Sequence, residues 1–458
     1  MIVALHIDAI VHGGEGLARH EGRVVFVRGA APGDLVEVDV SAAGFEDRSG
    51  SDSEGRRGND AGHPARDPER RPGRHAGAAR FEHARVLRVL ERGAARVDAP
   101  CPIVDRCGGC PVQQISYAAQ LEAKHALTAD ALERIGGLPR GSYTLAPIVA
   151  SPSQLRYRRR ARMHRAEGGQ WGFAARAASA RSPIQPVDEC LLFEPALQAL
   201  ADSVRAFGDL PGVIDLGLLT SPGGKGAVDL RTEKPPTNAL RLRARKLLES
   251  TRGLSGLTLG PAATSGPSLP ELIGDPVLID PPLANGARLR TRPNLFAQAN
   301  REAVPLLQAA VRDALGDSQR LLELFCGSGT LTLPLLGGGA LEVTAVESAG
   351  PALGLLRRSA DEAGLSVKLI EGDASAIART EIDVDAVLLD PPRTGAAQVV
   401  RGLAQWKPQR IVYVSCDAPT LARDARLLVA AGYRLHAAVP IDLFPQTAHF
   451  EVVATFLR

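Results

Sequence analysis

The sequence predicts an α/β protein in three parts: a small β-barrel, a central α+β region and a C-terminal doubly wound parallel sheet. From about Arg288 onward, amphipathic helices alternate with short apolar strands, which is the pattern of a parallel sheet covered on both faces. The first forty or so residues are instead short β-rich runs punctuated by glycine and proline. Between these regions Cys101, Cys107 and Cys110 crowd together in a stretch of mixed helical and strand character. At 458 residues the chain has room for two or three well-buried cores, and its 45% apolar and 23% charged residues suit a soluble globular protein. No run approaches the ~20 apolar residues of a membrane span. MIVALHIDAIVHGG lacks a basic leader and a long apolar core, so the expectation is a cytoplasmic protein without a signal peptide. A net charge of +3 is too small to argue by itself for a polyanionic partner.

In chain order, residues 1–98 are expected to form the barrel, from MIVALHIDAIV, RVVFVRG and DLVEVDVS with a return strand over RVLRVLERG at Arg85–Gly93. Residues 44–79 hold Gly, Ser, Asp, Arg and Pro with almost no large apolar side chain, and are expected to be a disordered insertion. Small barrels often bind RNA, although many do not.

The central region is expected to run from 99 to 285. Its CPIVDRCGGC has the spacing C-x5-C-x2-C, and the paired glycines let the backbone wrap closely around an inorganic centre. Cys190 is the remaining cysteine outside the C-terminal sheet and the candidate fourth thiolate. Four thiolates suit zinc or an iron–sulfur cluster; the unpaired fourth ligand favours 4Fe-4S, because structural zinc sites usually pair their cysteines in two knuckles. The spacing differs from the C-x3-C-x2-C of radical enzymes. A helix is predicted over about 118–135, with Leu121, His125, Leu132 and Ile135 on one side and Gly136-Gly137 as its stop; it could pack against the C-terminal domain. In Arg156 to Arg165, a strand would place Arg156, Arg158, Arg160 and Arg162 on one face. Stacked like charges repel unless a polyanion intervenes, which favours phosphate contact over a solvated face.

Over 286–458 the elements are the helix NREAVPLLQAAVRDALG, the strand RLLELFC, the glycine turn CGSGTLTLPLL, the strand EVTAVE, the helix PALGLLRRSADEAG, and the strands SVKLIEGD and VDAVLLDPPR. IVYVSCDAPTLARD then reads as a buried strand ending in a thiol, followed by a helix with Pro419 in its first turn. Cys416 thus lies at a strand's carboxyl end ahead of a helix N-terminus, a position suited to a nucleophile. Taken alone, the stretch is better read as placing a small buried hydrophobe there; the other motifs reverse that preference. Gly327 and Gly329 permit close backbone approach to a ligand, Glu347 about 20 residues further on is placed for ribose hydroxyls, and Asp373 and Asp390 end two further strands. Each could be a turn or cap residue, but successive strand ends of this kind make a ligand crevice. YRLHAAVPIDLF and HFEVVATFLR complete the sheet as a final hairpin.

Together FAQAN (296–300), ELFCGSGT (323–330), VE (346–347), GD (372–373), DPPR (390–393), VSC (414–416), TLARD (420–424) and LFPQTAHFE (443–451) closely resemble the RNA 5-methyluridine methyltransferases. The N-terminal part resembles the TRAM domain attached to many of them, and CPIVDRCGGC with Cys190 resembles their 4Fe-4S ligand set. The resemblance implies a Rossmann-like S-adenosylmethionine-dependent methyltransferase domain over 286–458, an OB-like TRAM barrel and a central iron–sulfur, RNA-binding domain. It implies that Gln298, Phe325, Gly327, Gly329, Thr330, Glu347, Asp373 and Asp390 line the S-adenosylmethionine pocket, with Cys416 as nucleophile and Glu451 as base. The chemistry explains the need for both. Uracil C5 is a poor nucleophile until a thiolate adds at C6, and a carboxylate must then remove the C5 proton so that the thiol can leave.

Three positions depart from the family pattern. Asp417-Ala418-Pro419 moves a proline one place from the nucleophile, Gln446 replaces a frequent histidine, and Phe450 replaces a smaller aliphatic residue. The combination of TRAM and cluster resembles the branch that acts on 23S ribosomal RNA more than the compact transfer-RNA branch, although cluster-bearing relatives acting on transfer RNA exist. RNA is the expected partner, without a membrane or an obligate protein partner. The competing readings are a noncatalytic RNA-binding protein that has kept the fold and an electron-transfer protein.

Overall fold

The computed structural model describes residues 1–40, 81–176, 183–262, 269–338, 341–380 and 382–458. Strands Ile2–His6, Ala9–Ile10, Gly16–His20, Arg23–Arg28, Leu35–Asp39 and Phe81–Glu91 form one six-stranded N-terminal sheet. Alternate residues of these strands, among them Leu5, Val25, Val27, Val36 and Val38, point into a single core. The long last strand runs parallel to Arg23–Arg28 and antiparallel to Leu35–Asp39, so it joins both edges of the fold. It begins at Phe81, four residues before the predicted Arg85, where Phe81 and His83 pack on Phe26 across the strands. The insertion expected at 44–79 lies outside the described residues. Asp34, fully buried, accepts hydrogen bonds from Ala31 N, Gly93 N and the Arg96 guanidinium, fastening the sheet to the chain that leaves it.

The central region is built on a seven-stranded sheet that includes Arg160–Arg165, Val213–Thr220, Gly226–Thr232 and Leu254–Pro261. Helices Pro195–Phe207 and Asn238–Ser250 cover one of its faces, burying Leu197, Val204, Leu240 and Leu247 against Leu216, Leu218, Val228 and Leu230. Here the predicted arginine ladder needs correction. The strand starts only at Arg160; Arg156 has a left-handed backbone (φ 56°) and pairs with Glu189 at 2.6 Å. Arg158 lies in isolated bridges to Phe193 and Asn300, and its guanidinium is turned inward toward Cys110 and Cys190. Only Arg160 and Arg162 share a face, because strict alternation holds only within a continuous strand.

Helix Tyr117–Arg134 appears close to its predicted limits, with Ser116 as N-cap. Its buried face is rotated from the predicted one: Ile135 is exposed, whereas Gln120, Lys124 and Thr128 are buried with Leu132. This stripe is polar because it docks on polar groups of the C-terminal domain. Lys124 Nζ donates to Asp442 Oδ1 at 2.7 Å and to Phe444 O at 3.2 Å, Gln120 Nε2 donates to Gln446 Oε1 at 3.0 Å, and the Gln446 backbone N–H donates to Gln120 Oε1 at 3.0 Å. Lys124→Met leaves Asp442 charged and buried without its cation, and is expected to cost about 3–5 kcal/mol of unfolding free energy in urea. The double substitution Lys124→Met/Asp442→Leu is expected to recover most of that loss.

The C-terminal sheet has eight strands in the order Lys368–Glu371, Glu342–Glu347, Arg320–Leu324, Ala386–Leu389, Arg410–Ser415, Glu451–Leu457, Arg434–Ile441 and Thr144–Leu145. The first five are parallel; Glu451–Leu457 inserts antiparallel between its two neighbours. The predicted final hairpin is therefore present, with its last strand on the inside. Central strands such as Ala386–Leu389 are buried on both faces, which is why they read as unbroken apolar runs. Among the described residues no helix is long and apolar enough to cross a membrane.

Candidate active site

Strand Arg410–Ser415 lies between parallel Ala386–Leu389 and antiparallel Glu451–Leu457. Ser415 pairs with Val452, so the next residue out on each strand, Cys416 and Glu451, face each other at the carboxyl edge of the parallel sheet. Asp417 then caps helix Ala418–Ala430, its Oδ1 accepting from Thr420 N at 2.9 Å, with Pro419 in the first turn. The displaced proline therefore leaves the helix start intact, because a missing N–H costs nothing there. Asp390, one residue beyond its strand, and Arg393 complete the group.

The electrostatics of this group are unusual. Burial raises the proton affinity of Glu451 well above the usual carboxylate range, and the negative charge of Asp390 adds to it. Burial likewise pushes Asp390 up to about 7. The Cys416 thiol is pushed up to about 11, first by burial and then by Glu451 and Asp390, while Arg393 opposes this through its charge and a hydrogen bond. The resting cysteine is thus largely protonated, with one nearby cation favouring the thiolate. Carbamidomethylation of Cys416, followed on its peptide by mass spectrometry, is expected to accelerate about tenfold per pH unit through the neutral and mildly alkaline range. Arg393→Gln is expected to slow it throughout that range, since the thiolate loses its cation.

The glycine turn follows the end of strand Arg320–Leu324. Phe325, Gly327 and Gly329 all adopt positive φ, and a Cβ on Gly329 would lie 2.4 Å from Leu356. Gly327 N donates to Glu347 Oε2 at 3.0 Å, and Ala349 N to Glu347 Oε1 at 2.8 Å, so this carboxylate is held at the strand end beside the turn. The Thr330 carbonyl accepts from Gln308 at 2.8 Å. Gln298 is buried, and its carbonyl accepts from Arg159 Nε at 3.3 Å. Asp373 is exposed and caps the short turn that follows it; hydrogen bonds from Ser375 and Ala376 hold its carboxyl below the usual range. Cys326 is buried and its thiol is driven strongly upward by burial, as expected of a packing residue.

Several supporting residues carried weak signals or none. Buried Asp424, within TLARD, accepts from Tyr413 Oη at 2.8 Å and Ala396 N at 2.7 Å, tying the loop after DPPR to strand Arg410–Ser415. Arg423 adds a 3.0 Å bond to Thr394 O. Arg393 and His449 lie inside quoted motifs yet were not singled out; burial pushes the His449 ring down to about 4, aided by the positive charge of Arg393, so it is neutral. His12, in the turn between strands Ala9–Ile10 and Gly16–His20, stands 3.4 Å from Asp417 and carries no sequence signal. Gln446 has a left-handed backbone (φ 69°) and fills the histidine's place with the amide pair to Gln120.

Cys101, Cys107, Cys110 and Cys190 are all free and partly buried. Burial raises the Cys107, Cys110 and Cys190 thiols, Cys110 to about 12, and the four influence one another through their charges. Gly109 N donates to Cys107 Sγ at 3.5 Å, and the amides of Leu192 and Phe193 address Cys190. The buried Arg158 faces Cys110 and Cys190, and Arg176, which clasps the loop through Val104 O and Pro111 O, faces Cys107 and Cys110. Gly108 is required sterically, since a Cβ there would meet Ala174 O at 2.8 Å. Among the described residues no group of three or more His, Cys, Asp or Glu is arranged to hold a metal ion.

Comparison with known proteins agrees with this architecture. Residues 285–458 match the family model described as tRNA (Uracil-5-)-methyltransferase, and residues 3–46 match the TRAM domain. The chain is 32% identical over 472 residues to a Pseudomonas putida protein named 23S rRNA (uracil(1939)-C(5))-methyltransferase RlmD, covering 99% of this chain and 93% of that one. It is 33% identical to the protein of the same name from Pseudomonas entomophila, with 99% and 93% covered. The crystal structure of Pyrococcus abyssi tRNA (uracil-54, C5)-methyltransferase in complex with S-adenosyl-L-homocysteine shares the fold, with a TM-score of 0.67 at 20% identity and 99% of each chain covered. A TRAM domain followed by an S-adenosylmethionine-dependent methyltransferase fold, at this identity over almost the full length of both Pseudomonas relatives, places the chain in the RNA uracil-C5 methyltransferase family.

Proposed function

We propose that the protein methylates C5 of a uridine in 23S ribosomal RNA through a covalent adduct between Cys416 and C6, acting in the cytoplasm. The observation that carries this reading is the strand register that sets Cys416 opposite Glu451, at the same sheet edge as the glycine turn two strands away. S-adenosylmethionine supplies an electrophilic methyl group, and Gln298, Phe325, Gly327, Gly329, Thr330, Glu347, Asp373 and Asp390 are the residues that would hold it. The bent backbone of the turn and the fixed Glu347 carboxylate suit such a ligand. The Cys416 thiolate adds to C6, and the electron pair gained at C5 takes the methyl. Glu451 removes the C5 proton, the C5–C6 double bond re-forms and the sulfur–C6 bond breaks, returning the thiolate. Arg393 favours the thiolate at the first and last steps. A uridine within a stem must be flipped out to reach this edge.

The reading includes a 4Fe-4S cluster on Cys101, Cys107, Cys110 and Cys190. Sulfur-directed amides and two buried or half-buried guanidiniums suit an anionic thiolate-bound centre, and the Arg158 Nε is buried without a hydrogen-bond partner among the described residues. Held by these four thiolates, a cluster would supply structure, with no iron left open for substrate.

The test is methyl transfer from labelled S-adenosylmethionine to 23S ribosomal RNA and to transfer RNA, both from a strain lacking the protein. Label in a single 5-methyluridine of the ribosomal RNA supports the proposal. Label confined to transfer RNA moves the same chemistry to that substrate, and no label with RNA still bound favours a noncatalytic binder. Iron and acid-labile sulfide in the anaerobically purified protein, lost in Cys190→Ser, test the cluster separately.

A further inference from the structure

Residues 442–450 join strand Arg434–Ile441 to strand Glu451–Leu457, whose ends pair at Ile441 and Glu451. A connection of that length has many paths open to it, and here the path is imposed from outside the hairpin. Successive carbonyls accept from donors elsewhere in the chain: Leu443 O from Asn300 Nδ2 at 3.0 Å, Phe444 O from Lys124 Nζ at 3.2 Å, and Pro445 O from Tyr157 Oη at 2.9 Å. Gln446 then turns the backbone left-handed (φ 69°), a conformation that residues other than glycine rarely adopt. Gln120 holds it there, accepting from Gln446 N and donating to Gln446 Oε1, each at 3.0 Å. The Gln120 amide is itself fixed, because its Nε2 also donates to Ile115 O at 2.8 Å and to Val112 O at 3.2 Å.

From Gln446 the constraint passes toward the sheet in short steps. Thr447 Oγ1 donates to Phe444 O at 2.8 Å and accepts from His449 N at 3.2 Å. Phe450 is buried in the core that contains Ala131 and Leu132 of helix Tyr117–Arg134. Glu451 follows directly. The pairing of Val452 with Ser415 fixes the strand beyond it, while the loop fixes the direction from which the chain enters Glu451. A strained backbone persists only where its surroundings over-determine it, and Gln446 is such a place.

We propose that Gln120 is a positioning residue for the base: by holding Gln446 in its left-handed conformation it sets the loop that delivers Glu451 to the side of Cys416. The inference rests on the reading of Glu451 as the group that removes the C5 proton, and it adds a residue of helix Tyr117–Arg134 on which that step depends. A base acts only within hydrogen-bond reach of its proton, so a loop relaxed by about 1 Å slows elimination more than it weakens cofactor binding or thiol reactivity.

The experiment uses the full chain with labelled S-adenosylmethionine and unmodified ribosomal or transfer RNA, whichever accepts label. Gln120→Met keeps the length of the side chain and removes its amide. It is expected to lower kcat by about 10–100-fold, the scale of a 1 Å misplacement, with methylated protein–RNA adduct accumulating on denaturing gels. S-adenosylhomocysteine affinity and the rate of Cys416 carbamidomethylation should stay at their wild-type values, which a general loosening of the domain would not allow. Gln446→Leu should show the same stall, and Gln120→Met/Gln446→Leu should be little worse than Gln120→Met alone, as two residues acting as one unit require. Wild-type release by Gln120→Met, under conditions in which Glu451→Gln stalls, overturns the positioning role and leaves the base in place. Lost turnover without adduct, together with weaker S-adenosylhomocysteine binding, marks a packing role and overturns it as well. If Glu451→Gln itself releases methylated RNA at the wild-type rate, the reading of the base fails and the positioning role fails with it.

Discussion

Cys416→Ala is expected to lower methyl transfer by at least about 10⁴-fold, the scale on which enzymes lose activity when a covalent nucleophile is removed. The same variant should give no denaturant-stable adduct with RNA containing 5-fluorouridine, in which fluorine at C5 blocks the proton removal that frees the thiol. Fold loss is not expected to confuse the result. The thiol sits half-buried at a strand end, and helix Ala418–Ala430 is capped by Asp417. Gel-shift and mass-spectrometric detection of the adduct check the expectation, and substantial residual turnover would place the covalent step on another residue.

Glu451→Gln is expected to act later in the cycle. The amide has nearly the same shape but cannot take a proton, so thiolate addition and methyl transfer proceed while elimination stalls. Turnover should fall by about 10²–10⁴-fold, the usual contribution of a positioned base, and a methylated protein–RNA adduct should accumulate. Rapid release of methylated RNA would assign the base elsewhere. The raised proton affinity of Glu451 adds a pH signature. The base must be ionised to act, so kcat/KM should begin to decline as pH falls while still above the ordinary carboxylate range. The sign follows from burial and from Asp390: both disfavour the second negative charge, so the pair holds a proton to higher pH than either isolated acid.

The motifs at the sheet edge were legible because the parallel strands are apolar on both faces and end in glycine or acid. That local pattern is enough to align Gly327, Glu347, Asp390 and Cys416 at one edge without knowledge of the packing. Glu451 was legible only through the motif around it. As the first residue of an antiparallel strand it has no local feature that distinguishes it from an edge charge, and its partner is set by the pairing of Ser415 with Val452. The arginine run failed as a pattern for a related reason. Alternation assumes an unbroken strand, and the left-handed backbone at Arg156 and the bridges at Arg158 break it before Arg160. Helix Tyr117–Arg134 shows the same limit: its spacing predicts an apolar stripe, but the face that docks carries Lys124 and Gln120, whose partners lie more than 300 residues away in the chain.

By itself the sequence determined the doubly wound sheet, the order of the residues at its carboxyl edge and the N-terminal β-rich module, because each depends on local periodicity, turn chemistry or residue spacing. Only the tertiary structure decided which charges are compensated. It turned Arg158 toward the cysteines, paired Lys124 with Asp442, brought His12 to Asp417 and left Arg162 beside an already engaged Asp229. Charge compensation depends on distances of a few ångströms between distant segments, and residue spacing along a chain does not encode those distances until the strands have paired.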